Sequence, residues 1–249
     1  MTVAHASVCR RAATPLLWAG ALFIAACGTT APARRPSATD PLAVLDAVRA
    51  REARVHTLRV RFASELQQGD EKRSADGVLV VKKPDRFRMR LLAPFGFTVL
   101  DYAYVGGEVH LELPLQGQRL TNADLRDDAL LAPAELRQAF LRAEAAFPGT
   151  CEPSAAHQEV VVGCRDDAGT LLRTIRIDAA GGTITEEVDV RDEKPWVVTR
   201  FQDYREAGSY LLPFVIEIAY PHRDVFMRIT VRDYEVNPVL ANDLFEVSS

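Results

Sequence analysis

From Leu58 onward, apolar and polar positions alternate with period two. Leu58, Val60, Phe62 and Leu66 are interleaved with Arg59, Arg61, Glu65 and Gln67, which predicts a strand with one buried face. Alternating or short apolar runs recur at 77–82, 86–92, 97–105 and 108–113. They resume at 159–164, 171–178, 183–190, 196–204, 211–220 and 225–234, about eleven strands in all. Lys83-Pro84-Asp85, Pro94-Phe95-Gly96 and Gly106-Gly107 are turn sequences between them. Connections this short join antiparallel neighbours, because a parallel crossover needs a dozen residues or more. The expectation is a mainly β (α+β) meander, strongly curved.

Two segments change period. Thr39 or Asp40 is a helix cap, Pro41 suits a first turn, and Leu42, Leu45 and Val48 recur at helical spacing. A second helix is expected at 133–147, where Leu136, Phe140 and Phe147 recur and Pro148-Gly149 ends the pattern. No internal repeat or linker divides the chain after residue 39, so residues 40–249 read as one domain.

The amino terminus has another character. Arg10 and Arg11 precede an apolar run from Leu16 to Ala26, the order of an export signal and too short for a comfortable membrane span. Residues 28–39, with Pro32, Pro36 and many Ala, Thr and Ser, read as a flexible tether. The chain carries 30 Lys+Arg against 34 Asp+Glu, a net charge of −4. Loss of residues 1–26 removes two arginines and no acid, moving the charge from −4 to −6. Neither value gives the clustered basic excess that nucleic-acid binding requires.

Export affects the cysteines. Cys151 and Cys164 are expected to form a bridge in an oxidising compartment, the alternative being two free thiols; closing that loop would contribute about 3 kcal/mol. His56, His110, His157 and His222 are scattered without metal-ligand spacing. No nucleophile elbow, zinc-protease, phosphate-loop or dinucleotide motif occurs. The acidic pairs Asp127-Asp128, Asp166-Asp167 and Glu186-Glu187 read as solvated. The balance moves from catalysis to binding, with no metal and no cofactor implied.

A curled sheet covered by helices encloses either an apolar cavity or a filled core. The candidate lining is Phe62, Leu66, Val78, Val80, Phe87, Met89, Leu91, Val99, Leu111, Phe201, Ile216 and Phe226.

Two resemblances give these features a direction. Small residues before Cys27-Gly28 resemble the bacterial lipobox. That implies cleavage after residue 26, lipidation of Cys27 and, with no Asp following the cysteine, outer-membrane sorting. Pro84-Asp85-Arg86-Phe87-Arg88, Leu91-Leu92-Ala93-Pro94-Phe95-Gly96, Glu108-Val109-His110-Leu111 and Gly117-Gln118-Arg119-Leu120-Thr121 resemble the outer-membrane lipoprotein receptor LolB in order and spacing. Val236-Asn237-Pro238 to Leu244-Phe245 is similar to endings in the related carrier LolA.

The resemblance implies an incomplete antiparallel β-barrel closed by α-helices and an apolar cavity for acyl chains. It also implies a periplasm-facing, lipid-anchored monomer that receives lipoproteins from a LolA-like carrier and inserts them into the inner leaflet of the outer membrane. Phe95 in Pro94-Phe95-Gly96 stands where that family has a protruding Leu, with Phe97 two residues on. These four residues are the candidate membrane-insertion loop, the alternative being that both rings fold under a helix as core.

Overall fold

The computed structural model describes residues 40–121, 137–140 and 147–246. Cys27, the leader and residues 28–39 lie outside the described residues, as does most of the expected second helix.

Helix α1 spans Pro41–Ala53 and begins as expected: the Asp40 carboxylate accepts from the Leu42 amide at 3.0 Å, and Pro41 occupies the first turn. Its buried stripe is Val44, Leu45 and Val48; Leu42, expected on that stripe, is exposed.

The sheet has thirteen strands. The first six are β1 Thr57–Gln68, β2 Glu71–Lys82, β3 Arg86–Leu92, β4 Thr98–Val105, β5 Glu108–Leu113 and β6 Gln118–Thr121. The rest are β7 Thr150–Ala156, β8 Glu159–Arg165, β9 Leu171–Asp178, β10 Thr183–Arg191, β11 Lys194–Ala207, β12 Tyr210–Tyr220 and β13 Val225–Val236. Their order is β6-β5-β4-β3-β2-β1-β13-β12-β11-β10-β9-β8-β7, antiparallel throughout and not closed. Two meanders therefore meet at a single long-range pairing, β1 with β13. Asn237 holds its end: its side-chain oxygen accepts from the amides of His56 and Thr57 at 2.8 and 3.2 Å.

Two strands exceed the sequence expectation, and both are edges. β6 has four residues, and β7 (Thr-Cys-Glu-Pro-Ser-Ala-Ala) contains Pro153 and no apolar alternation. Pro153 is tolerated because an edge strand leaves one row of backbone groups unpaired. β2 also starts six residues early, since backbone pairing with the polar half of β1 carries it through Glu71–Asp76.

The inward face builds one apolar cluster running from Leu111, Tyr102 and Met89 through Phe62 to Ile216, Ile175 and Val162. Its register is set by Gly77, which pairs with Phe62 and lies beneath that ring; a Cβ there would collide with the ring carbons. With Gly77 inward, period two turns Leu79 and Val81 inward and Val78 and Val80 outward. Val78 and Val80 therefore do not line the interior, correcting the expectation. An unbroken Val-Leu-Val-Val run carries no parity of its own. Phe226 is corrected for the same reason: Met227, Ile229 and Val231 take the inward positions of β13. Gly77→Ala is expected to cost about 1–3 kcal/mol by overpacking, measured by chemical denaturation; an unchanged midpoint would mean that Phe62 is free to move aside.

Candidate functional site

The turn joining β3 to β4 is closed by the Gly96 amide donating to the Ala93 carbonyl at 3.1 Å and the Ala93 amide donating to Phe97 at 2.8 Å. Phe95 has φ 72° and ψ 11°, the third position of a type II turn, which normally calls for glycine. A bulky side chain in the left-handed region costs about 1–2 kcal/mol. Nothing packed on the ring offsets this, for Phe95 is 97% and Phe97 65% exposed. The structure thus sets both rings in solvent rather than under a helix.

The interior brings together most of the candidate lining. Phe62, Phe87, Met89, Leu111, Phe201 and Ile216 are fully buried, while Leu66, Leu91 and Val99 are half-buried against them. Tyr102, absent from the sequence reading, meets Phe87 edge-on at 5.9 Å between ring centres. The helical residues 137–140 contribute Ala139 and Phe140, both buried. Between them and Val55, Leu212, Ile216 and Tyr234 remains a cavity of about 20 Å³, room for about one water molecule and no acyl chain.

One wall of the interior is polar, which the sequence reading missed. Arg173 is 5% exposed and lies 2.5 Å from Asp189 and 3.9 Å from Glu187. Gln138 meets the same group, its amide oxygen oriented toward the guanidinium. Arg137 stacks over Tyr104 at 3.8 Å, so the helical stretch is held by two side chains. Parity carried the signal: Arg173 shares a face with Ile175 and Ile177, and Asp189 is its register partner on β10. Of the pair read as solvated, Glu186 does point outward, bonded to Arg176 and Arg200, but Glu187 is buried.

Cys151 and Cys164 are register partners on β7 and β8 and form a cross-strand disulfide, with Cα atoms 4.1 Å apart. It fastens the outermost strand to the sheet. On the outward face the carboxy-terminal turn Asn242–Phe245 packs on β3 and β4 and buries Phe245. A groove of about 780 Å³ beside it is lined by charged side chains, among them Arg86, Glu108, Glu112 and Arg119, with Leu120 and Phe245. Such a lining does not suit an acyl chain.

An open, one-sheet antiparallel fold with a helix-covered inner face defines a fold class, and solved structures share it. A putative outer membrane lipoprotein-sorting protein domain from Vibrio parahaemolyticus matches with TM-score 0.62 at 12% identity, over 84% of this chain and 97% of that one. A DUF1329 family protein from Desulfovibrio piger gives 0.61 at 9% identity, over 84% and 98%. A LolA superfamily protein from Nitrosomonas europaea gives 0.59 at 11%, over 83% and 97%. No protein-family model matches the chain, and no curated relative matches it in sequence. The protein has a LolA-like fold.

Proposed function

We propose that this protein is an outer-membrane-anchored, periplasm-facing lipoprotein, lipidated at Cys27, that binds acyl chains and acts in lipoprotein reception and insertion, in the manner of LolB. It acts by binding, without cofactor or covalent chemistry. Its partners are lipoprotein acyl chains, a periplasmic LolA-like carrier and the inner leaflet of the outer membrane. The observation that carries the reading is Phe95, a large apolar ring set in solvent on a turn whose geometry disfavours it. The LolA-like fold and the lipobox-like sequence around Cys27 support it. Acyl binding at the space beside Ala139 and Phe140 requires those two side chains to yield, since it is too small as it stands.

A second reading is a lipid-binding sensor or assembly factor of the same fold that does not transfer cargo. The small size of the cavity beside Phe140 and the polar wall of the interior favour it. Depletion separates the two. Under the receptor reading, lipoproteins accumulate away from the outer membrane and native mass spectrometry of the purified protein finds a bound acyl species. Normal lipoprotein sorting with a bound acyl species selects the sensor, and normal sorting without one removes both.

A further inference from the structure

The turn one hairpin away repeats the device of the Phe95 loop. Pro114-Leu115-Gln116-Gly117 joins β5 to β6 as Pro94-Phe95-Gly96 joins β3 to β4. In both, a proline is followed directly by a large apolar residue, and a glycine in the left-handed region closes the turn. Leu115 is 72% exposed, and of the six exposed large apolar residues among those described, three are Phe95, Phe97 and Leu115.

The two turns are neighbours. Antiparallel pairing sets both at the end of the sheet where β4 begins, and the Pro114–Gln116 turn packs against β4. Neither tip, 93–97 or 114–117, has a charged side chain. Each of the other hairpin turns at that end is charged: those between β1 and β2, β8 and β9, and β10 and β11 carry only acidic charges (Asp70; Asp166 and Asp167; Asp192 and Glu193), and the β12–β13 turn holds Arg223 and Asp224 beside His222. An acidic tip is costly to bring to an anionic, apolar interface, whereas an uncharged Pro-apolar-Gly tip is not.

We infer that the β5–β6 turn is a second membrane-contacting tip, with Leu115 entering the same leaflet as Phe95 and Phe97. Two tips define a footing: they orient the β6 side of the sheet toward the membrane, where one tip would leave rotation about the loop free. The occupant is the leaflet that holds the anchor, so the inference rests on the lipidation of Cys27. Twelve residues separate Cys27 from Asp40, and even fully extended they reach only about 42 Å, which keeps the domain within that distance of the leaflet.

The test uses the full lipid-anchored protein, reconstituted in phosphatidylethanolamine and phosphatidylglycerol vesicles containing brominated phosphatidylcholine. Leu115→Trp, Phe95→Trp and, in an acidic turn, Ala168→Trp are compared with the parent, whose Trp196 gives the background. The expected result is quenching at 115 within about twofold of that at 95, as for side chains entering to similar depth, and none beyond background at 168. Quenching at 95 alone overturns the second tip and leaves the loop and the anchor standing. Equal quenching at 115 and 168 overturns it as non-specific adsorption. An unmodified mass at Cys27, with no quenching anywhere, removes the anchor reading and this inference together. If Leu115→Glu instead converts an oligomer to a monomer without changing quenching at 95, the surface belongs to a second copy and the inference fails.

Discussion

Asp101→Ala is expected to lower folding stability by about 3–5 kcal/mol, the cost of removing one partner of a buried ion pair. Asp101 on β4 receives a two-pronged contact from Arg88 on β3, Nε to Oδ1 at 2.9 Å and Nη2 to Oδ2 at 2.8 Å. Arg90 adds a third bond at 2.9 Å, and the Arg88 and Asp101 side chains are only 11% and 10% exposed. The Arg88 guanidinium also donates to the carbonyls of Leu244 and Glu246 at 3.2 and 2.6 Å, tying the carboxy-terminal turn to the outward face. Without the carboxylate, a nearly buried cation loses its nearest counter-charge and is left with the Leu244 and Glu246 carbonyls and the charge of Glu112, and Phe245 loses the clamp beside it.

The same pair sets an acid limit. Burial works against the Asp101 carboxylate, but the bonds and charges of Arg88 and then Arg90 outweigh it and hold its pKa below the ordinary 3.8. A depressed folded-state pKa means that the unfolded chain takes up the proton first as pH falls. The contribution is therefore complete above the unfolded pKa, near 3.8, and is lost as pH falls through the folded value. Urea denaturation at neutral and acid pH checks both points: Asp101→Ala is less stable at neutrality, and its deficit narrows in acid. A neutral-pH cost below about 1 kcal/mol, typical of an exposed pair, would show that the cluster is solvated.

Period two was legible wherever polar residues marked the outward face, as in Leu58, Val60 and Phe62 of β1. It failed at Val78–Val81, where both faces accept apolar residues and only the approach of Gly77 to Phe62 fixes parity. It failed again at β7, whose residues pair by backbone at an edge and need no apolar pattern. The disulfide was legible from the export signal and the two remaining cysteines, but the register that makes Cys151 and Cys164 partners was not. At the candidate site, Phe95 was legible through the turn sequence and the family resemblance. Its exposure was not, because a Pro-Phe-Gly turn closes equally well above or beneath a helix. The buried Arg173 group escaped notice because charged residues are rarely inside unless paired, and its partners lie 14 and 16 positions away along the chain.

Phe95→Glu is expected to leave stability within about 0.5 kcal/mol of the parent while lowering membrane insertion of the turn by roughly a hundredfold. That factor corresponds to about 3 kcal/mol, the transfer energy of a buried aromatic side chain, before any cost of the new charge. Phe95→Gly is the complementary variant. Glycine relieves the left-handed strain of about 1–2 kcal/mol and loosens the unfolded chain by about 1 kcal/mol, so stability stays level or rises slightly. It nonetheless removes the ring. Lipoprotein transfer from a LolA-like carrier to vesicles should therefore fail for both variants while both melt near the parent temperature. Unfolding of the glutamate variant would place Phe95 in the packed core, and transfer by the glycine variant at the parent rate would remove the wedge. If the glycine variant is both as stable and inactive, the ring contributes nothing to folding that offsets its strained backbone, and what it serves must lie outside the fold.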